Sequence, residues 1–230
     1  MLHVFDMDGT LLRGTTANLE VARQIGTLAE LTDLEVRFAA GELDTKGFSA
    51  AIRALWAHLT PAAVTAAFAA GPWLAGIEEV CADIRRRGER SVVITMSPDF
   101  FARQLLPLGF DQVVASRFPE LPFTRPLDPA NVLTPQDKVR IVEELCADHG
   151  LAVEDCVAYG DSMSDAPLFR RLRRTVAVNA DHHLAGLAAL TYRGTSLSEA
   201  YALARTLLAR PAPDRVAPTG DQASRLPSTR

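Results

Sequence analysis

The chain has 230 residues, enough for one sizeable core with an elaboration and too few for two ordinary large domains. Hydrophobic residues make up 48% and charged residues 23%, the balance of an average globular protein, which excludes a chain disordered throughout. The formal net charge of −4 gives no reason to expect a polyanionic partner: the one basic run, Arg170, Arg171, Arg173 and Arg174, reads as the polar face and end of a helix and not as a nucleic-acid patch.

Residues 2–5 form a short apolar run that ends in an acidic and Gly/Thr cluster, predicting a buried strand that delivers Asp6 to a loop. Across residues 14–76 the pattern changes to Ala, Leu and Ile at three- and four-residue spacings, predicting an all-helical insertion after the first strand. Its helices are expected to start near Thr16, Thr32, Thr45 and Thr60, with Thr60 and Pro61 as a cap and first-turn pair. Gly14 and the stretch 71–76 read either as hinges of this insertion or as helix ends.

Further apolar runs at 91–95, 112–115, 156–159 and 175–178 each follow a helical pattern. That alternation predicts a parallel sheet with helices on both faces, in which chemistry collects at the carboxyl ends of the strands. Residues 116–134 contain four prolines and little periodicity, predicting a long loop or small irregular hairpin near the site. His182 and His183 fall after the last predicted strand, on an expected helix surface, and are not expected to bind metal. Beyond Ala209 apolar periodicity stops, and residues 210–230 are expected to form a disordered tail.

The cysteines, Cys81, Cys146 and Cys156, are odd in number and sit in apolar runs, which argues against a disulfide framework or a zinc site and for a reducing compartment. The first residues lack a basic segment leading into an apolar stretch, and no window approaches the ~18 apolar residues of a membrane span. A cytoplasmic location without membrane insertion is the expectation.

Four short elements carry the chemistry. In Asp6-Met7-Asp8-Gly9-Thr10, two carboxylates two residues apart point the same way on extended backbone, and Gly9 permits a sharp turn after them. Like charges held that close need a cation, a shared proton or many hydrogen bonds, and a hard divalent ion such as magnesium is a natural solution. In Thr95-Met96-Ser97-Pro98, a hydroxyl at a strand end and the amides of a following turn suit a phosphate oxygen. Lys138, in the first turn of a helix opened by Thr134 and Pro135, could neutralise a phosphoryl group and Asp6. Gly160-Asp161-Ser162-Met163-Ser164-Asp165 again offers two carboxylates in a tight loop, with Asp165 fitted to cap a helix or support a metal.

In this order and strand context, the four elements resemble the signature of the haloacid dehalogenase-like phosphohydrolase superfamily, over about residues 1–209. The helical insertion and the segment Ser97-Pro98-Asp99-Phe100 look most like its phosphoserine phosphatase-like branch. The resemblance implies a Rossmann-like α/β core (1–13 and 77–209) with a small helical cap (14–76) that covers the site. It further implies hydrolysis of a small-molecule phosphate monoester, with Asp6 as the nucleophile that becomes an aspartyl-phosphate and Asp8 as general acid/base. Asp6, the backbone carbonyl of Asp8, and Asp161 would bind Mg2+, with Asp165 a ligand or an orienting neighbour, and Thr95 and Lys138 would hold phosphoryl oxygens. An acid at position 8 also separates the chain from the true dehalogenases, whose halide leaving group needs no proton.

Gly9, Thr10, Met96 and Ser97 are candidate substrate neighbours, and Arg53 is either a substrate contact or a surface residue beside Trp56. Phe100 and Phe101 either line the pocket or belong to the core. Departures from the branch argue against free phosphoserine as substrate: Thr15 stands near the family's ammonium-binding glutamate, Thr95-Met96-Ser97 replaces a Ser-Gly-Gly turn, and Ser164 replaces an asparagine. A phosphotransferase or mutase using the same intermediate, and a non-catalytic binding protein on the same fold, are the alternatives. Nothing in the sequence indicates an oligomeric state.

Overall fold

The computed structural model describes residues 1–208, so the expected tail at 210–230 lies outside the described residues. Strand β1 (Leu2–Phe5) lies inside a six-stranded sheet of order β3-β2-β1-β4-β5-β6, with β2 (Arg90–Pro98), β3 (Gln112–Ser116), β4 (Cys156–Gly160), β5 (Arg174–Val178) and β6 (Leu190–Tyr192). Every pairing is parallel, and Val4 stands beside both Val92 and Ala158. All four residues of β1 are buried, as expected of a strand covered on both faces, which is why it reads as an unbroken apolar run.

Alternation along the strands sends side chains to two cores. Phe5, Val93, Tyr159 and Val176 pack on α5 (Ile77–Arg86) and α9 (Leu197–Leu208), while Val4, Val92, Ile94 and Ala158 pack on α7 (Pro135–Asp148) and α8 (Ala166–Arg171). Helix α5 shows the logic: Ile77, Val80, Cys81 and Ile84 follow the i, i+3, i+4, i+7 stripe and are all buried. Each such aliphatic side chain contributes roughly 1.5–3 kcal/mol on leaving water. Cys146 on α7 and Cys156 on β4 are free thiols, with their sulfurs 3.2 Å apart in the second core.

Between β1 and α5 the chain forms α1 (Ala17–Ile25), α2 (Leu28–Ala39), α3 (Thr45–Leu55) and α4 (Pro61–Ala70). Side-chain oxygens of Thr16, Asp44 and Thr60 accept amides at the starts of α1, α3 and α4. The helix expected from Thr32 starts instead at Leu28. Gly26, in left-handed conformation, ends α1 and turns the chain at once, so Thr32 falls one turn inside α2 and its hydroxyl donates to the Leu28 carbonyl at 2.8 Å. Helix α2 is sparsely covered: Leu31 is its one buried residue, whereas Val36 is 62% exposed.

Two further expectations change. The predicted turn after Thr95 is a continuation of β2 to Pro98, with a register shift against β3 between those residues. A sixth strand, β6, follows β5, so His182 and His183 precede the last strand and sit on an exposed 3₁₀ turn. Residues 116–134 form the expected irregular loop, with one 3₁₀ turn; α6 (Asp99–Ala102), which precedes β3, buries Phe101 against Phe68 and Trp73, while Phe100 packs on Phe118 and Phe123 of the loop. No helix among the described residues is long and apolar enough to cross a membrane.

Candidate active site

The acidic loops after β1 and β4 start side by side because these strands are neighbours: the Asp6 amide donates to the Tyr159 carbonyl at 2.9 Å. Beyond Asp6 the backbone folds on itself, with Leu11 and Leu12 both donating to the Met7 carbonyl at 2.9 Å. Gly9 makes the fold possible twice over, having φ of 75° and lying where a Cβ would stand 2.0 Å from Asp161 Oδ2. Gly160 has a similar function in the second loop: a Cβ there would lie 2.5 Å from Asp165 Cγ.

Lys138 enters from the first turn of α7 and is 1% exposed. Its Nζ donates to Asp6 Oδ1 and to Asp165 Oδ1, both at 2.7 Å. Burial works to lower its pKa, but the Asp165 and Asp6 carboxylates outweigh burial and hold the ammonium above its ordinary range. The other Asp165 oxygen accepts the amides of Asp161 at 3.0 Å and Ser162 at 3.4 Å, so this carboxylate braces both the loop and the lysine.

Asp8 has quite different company. Its carboxylate accepts the Ala17 amide at 2.6 Å, the Ser97 hydroxyl at 2.6 Å and the Thr95 hydroxyl at 3.2 Å. Burial raises its pKa, and these hydrogen bonds offset part of the rise. The Ala17 bond ties α1 directly to the site. The extension of β2 brings in Ser97, whose hydroxyl would otherwise lie beyond a turn.

Asp6, Asp161 and Asp165 each offer a carboxylate oxygen within 4.8 Å of the others. Burial and the neighbouring carboxylates, Asp165 foremost, push Asp6 well above its ordinary range despite Lys138. Burial together with Asp165 pushes Asp161 up to about 7. One ammonium among converging carboxylates leaves an excess of negative charge, and an all-oxygen donor set of this kind fits a hard divalent cation. The Asp8 carboxylate is not part of that group, because Ala17, Ser97 and Thr95 hold it elsewhere.

A cavity of about 420 Å3 opens above Asp6 and Asp8, with Thr95, Met96 and Ser97 in its wall. Gly9 and Thr10 are not in the wall; Thr10 donates to Asp161 Oδ1 at 3.2 Å, behind the acids. Arg53 does not reach the cavity either. Its guanidinium donates to the Arg125 carbonyl at 3.2 and 2.8 Å and lies 5.7 Å from the Phe123 ring centre, bracing α3 against the loop, so the expected substrate contact is corrected to a structural one. Phe100 and Phe101 are likewise absent from the wall. Conversely, Asn18, Glu35, Phe38 and Phe48 from the inserted helices, and His183, line it although no motif singled them out, and Met163 of the fourth element lines it without having been given a role. Tertiary packing brings them there; helical spacing alone marks none of them as different from neighbouring residues.

Comparison with known proteins agrees with this geometry. A family model described as haloacid dehalogenase-like hydrolase matches residues 3–170. A phosphoserine phosphatase of Archaeoglobus fulgidus is 26% identical over 193 residues, covering 81% of this chain and 55% of the relative; the chain thus spans about half the length of that protein. A phosphoserine phosphatase of Methanocaldococcus jannaschii is 26% identical over 182 residues, covering 76% of this chain and 84% of the relative. A solved structure titled as a phospho-aspartyl intermediate analogue of phosphoserine phosphatase shares the fold with a TM-score of 0.72 at 24% identity, over 88% of this chain and 97% of the other. With its parallel α/β sheet, its acidic loops and a family match over most of its length, the chain belongs to the haloacid dehalogenase-like hydrolase family.

Proposed function

We propose that the chain is a Mg2+-dependent phosphatase that hydrolyses a small-molecule phosphate monoester through an aspartyl-phosphate on Asp6. The observation that carries this reading is the contrast between two carboxylates two residues apart: Asp6 bonds to a buried ammonium, while Asp8 is held by hydroxyls and an amide and bonds to no cation among the described residues. Lys138 favours the anionic form of Asp6 against the burial and neighbouring carboxylates that raise its pKa, whereas Asp8, raised by burial, has hydroxyl and amide partners and is suited to carry a proton. The curated relatives being phosphoserine phosphatases supports the same class of reaction.

In the first step, the Asp6 oxygen not held by Lys138 attacks phosphorus as the ester P–O bond breaks, and Asp8 gives its proton to the departing alkoxide. In the second, water attacks phosphorus, its proton passes to Asp8, and the bond to Asp6 breaks, releasing inorganic phosphate and restoring both side chains. Thr95 and Lys138 orient the phosphoryl oxygens. Asp6 and Asp161, with the Asp8 carbonyl and with Asp165 beside them, would hold Mg2+, which supplies charge neutralisation at the phosphoryl group. Residues 14–76 act as a cap over a core of 1–13 and 77–209, limiting access of bulk water.

Phosphate release from a panel of monoesters with Mg2+ tests the reading. Turnover should vanish on chelation and in Asp6→Asn; equal turnover by Asp6→Asn and the parent chain overturns it.

A further inference from the structure

The phosphate end of the cavity leaves the organic half of the ester undefined, and the remaining wall is informative about it. At about 420 Å3 the space falls within the roughly 300–1,000 Å3 typical of pockets for sizeable ligands. Its lining is mostly apolar: Phe38 and Phe48, with ring centres 5.1 Å apart, stand on the side of the inserted helices, while Phe118, Met96 and Met163 contribute from the core and its loops. A three-carbon amino acid would leave most of that surface without a partner.

The polar groups of this upper wall are just as uneven. Glu35, half-buried on α2, lines the cavity and has neither an ion pair nor a hydrogen bond to its side chain among the described residues. Burial raises its pKa, as expected of a carboxylate short of counter-charge. Asn18 also lines the cavity, while its side-chain oxygen is buried away from it without a partner among the described residues. Glu35 is thus an acceptor at the cavity that a donor on the ligand would satisfy.

Meanwhile no Lys or Arg lines the cavity among the described residues, since Lys138 lies beneath Asp6 and Arg53 is turned onto Arg125. His183, the one basic side chain on the wall, already faces Asp181 at 3.0 Å. A carboxylate on the substrate would therefore meet acids and no Lys or Arg among the described residues, which selects against it.

We infer that the substrate is the monophosphate of a bulky, largely apolar amino alcohol without a carboxylate, with its amine received by Glu35. This rests on the phosphatase reading above and specifies the substrate class of the same site.

The test compares kcat/KM, with Mg2+, for 4-(2-aminoethyl)phenyl phosphate, 4-ethylphenyl phosphate, O-phosphotyrosine and O-phosphoserine. The amine-bearing ester should exceed its ethyl counterpart about tenfold, the value of one charge-assisted contact. Phosphotyrosine, which adds the carboxylate, should fall below the aminoethyl ester by a similar or larger factor, and phosphoserine should be the poorest of the four. In Glu35→Gln the amine preference should shrink to near one, and Glu35→Asp should keep part of it; thermal melts of both variants establish that they fold. A preference for phosphoserine or phosphotyrosine, or an amine preference that survives Glu35→Gln, overturns the inference. Asp6-dependent release of phosphate from 4-ethylphenyl phosphate without any preference sinks the substrate class and leaves the phosphatase intact, whereas no release from any of the esters removes both.

Discussion

At the carboxyl ends of β1, β2 and β4, Asp6, Asp8, Asp161, Asp165 and Lys138 each have a polar partner within 3.2 Å; on α2, Glu35 has none among the described residues. The first region is buried and assembled from neighbouring strands, and its geometry is fixed several times over. The second stands on a helix with one buried residue, facing a mostly apolar cavity. On the proposed reading, the difference separates two physical tasks. Phosphoryl transfer depends on positioning and charge neutralisation that do not vary with the alcohol, so its groups can be fully partnered in advance. Recognition of the alcohol requires groups whose partners come with the ligand.

The comparison breaks most visibly at the proposed nucleophile. Asp6→Asn should lower kcat by at least about 10³-fold, as measured by phosphate release, while the variant keeps a cooperative melt. A folded Asp6→Asn enzyme with near-normal kcat would mean that the buried acids are structural.

Next in size is Lys138→Met, which leaves Asp6 and Asp165 facing each other without a counter-charge. Removing one partner from a buried ionic cluster costs roughly 3–5 kcal/mol, measurable by denaturant unfolding. The loss should be greatest at alkaline pH, where Asp6 is ionised, and shrink as pH falls and a proton on Asp6, whose pKa burial already raises, replaces the missing cation. A pH-independent loss would point to packing alone.

Metal addition tests the same charge balance in the unaltered protein. Asp161, pushed up to about 7 from an ordinary 3.8, binds its proton more tightly folded than unfolded, so its contribution to stability is present at low pH and is lost as pH rises through 7. Mg2+ should reverse that loss. At a hundred times its dissociation constant it should stabilise the fold by about 2.7 kcal/mol, with a larger rise in Tm at pH 8 than at pH 6, where protons compete. A shift equal at both pH values would exclude Asp161 from the metal site.

The smallest expected effect is a matched pair of helix caps. Thr134 donates its hydroxyl to Asp137 at 2.7 Å at the start of α7, and Thr60 accepts the Ala63 amide at 3.3 Å at the start of α4. Thr134→Ala and Thr60→Ala should each cost about 1 kcal/mol. Only the first should also lower kcat, because α7 carries Lys138; equal kinetics in the two variants would show that α7's first turn is held by tertiary contacts regardless of its cap.

These regions also differ in how far they could be read in advance. The convergence of Asp6, Lys138, Asp161 and Asp165 was legible because each follows a strand or opens a helix, and parallel topology brings strand ends together. The Ser97 bond to Asp8 was not, since it depends on a register shift that carries β2 past Thr95. Strand β6 has only three residues, too few for a periodic signal. Glu35 and His183 reach the cavity through packing between distant segments, which leaves no mark in local spacing, and Arg53 looked eligible until the loop carbonyl of Arg125 claimed it. Proline content announced that loop but said nothing of what it would touch.

The bond from Lys138 to Asp6 joins residues 132 positions apart, and Thr10 reaches Asp161 across 151. A polypeptide emerging amino end first therefore exposes Asp6, the proposed nucleophile, early and completes the surrounding charges only after α7 and β4 have docked. Recovery of turnover during refolding should accordingly lag behind helix formation and coincide with closure of the central sheet, making enzymatic activity a late clock for the folding of the whole chain.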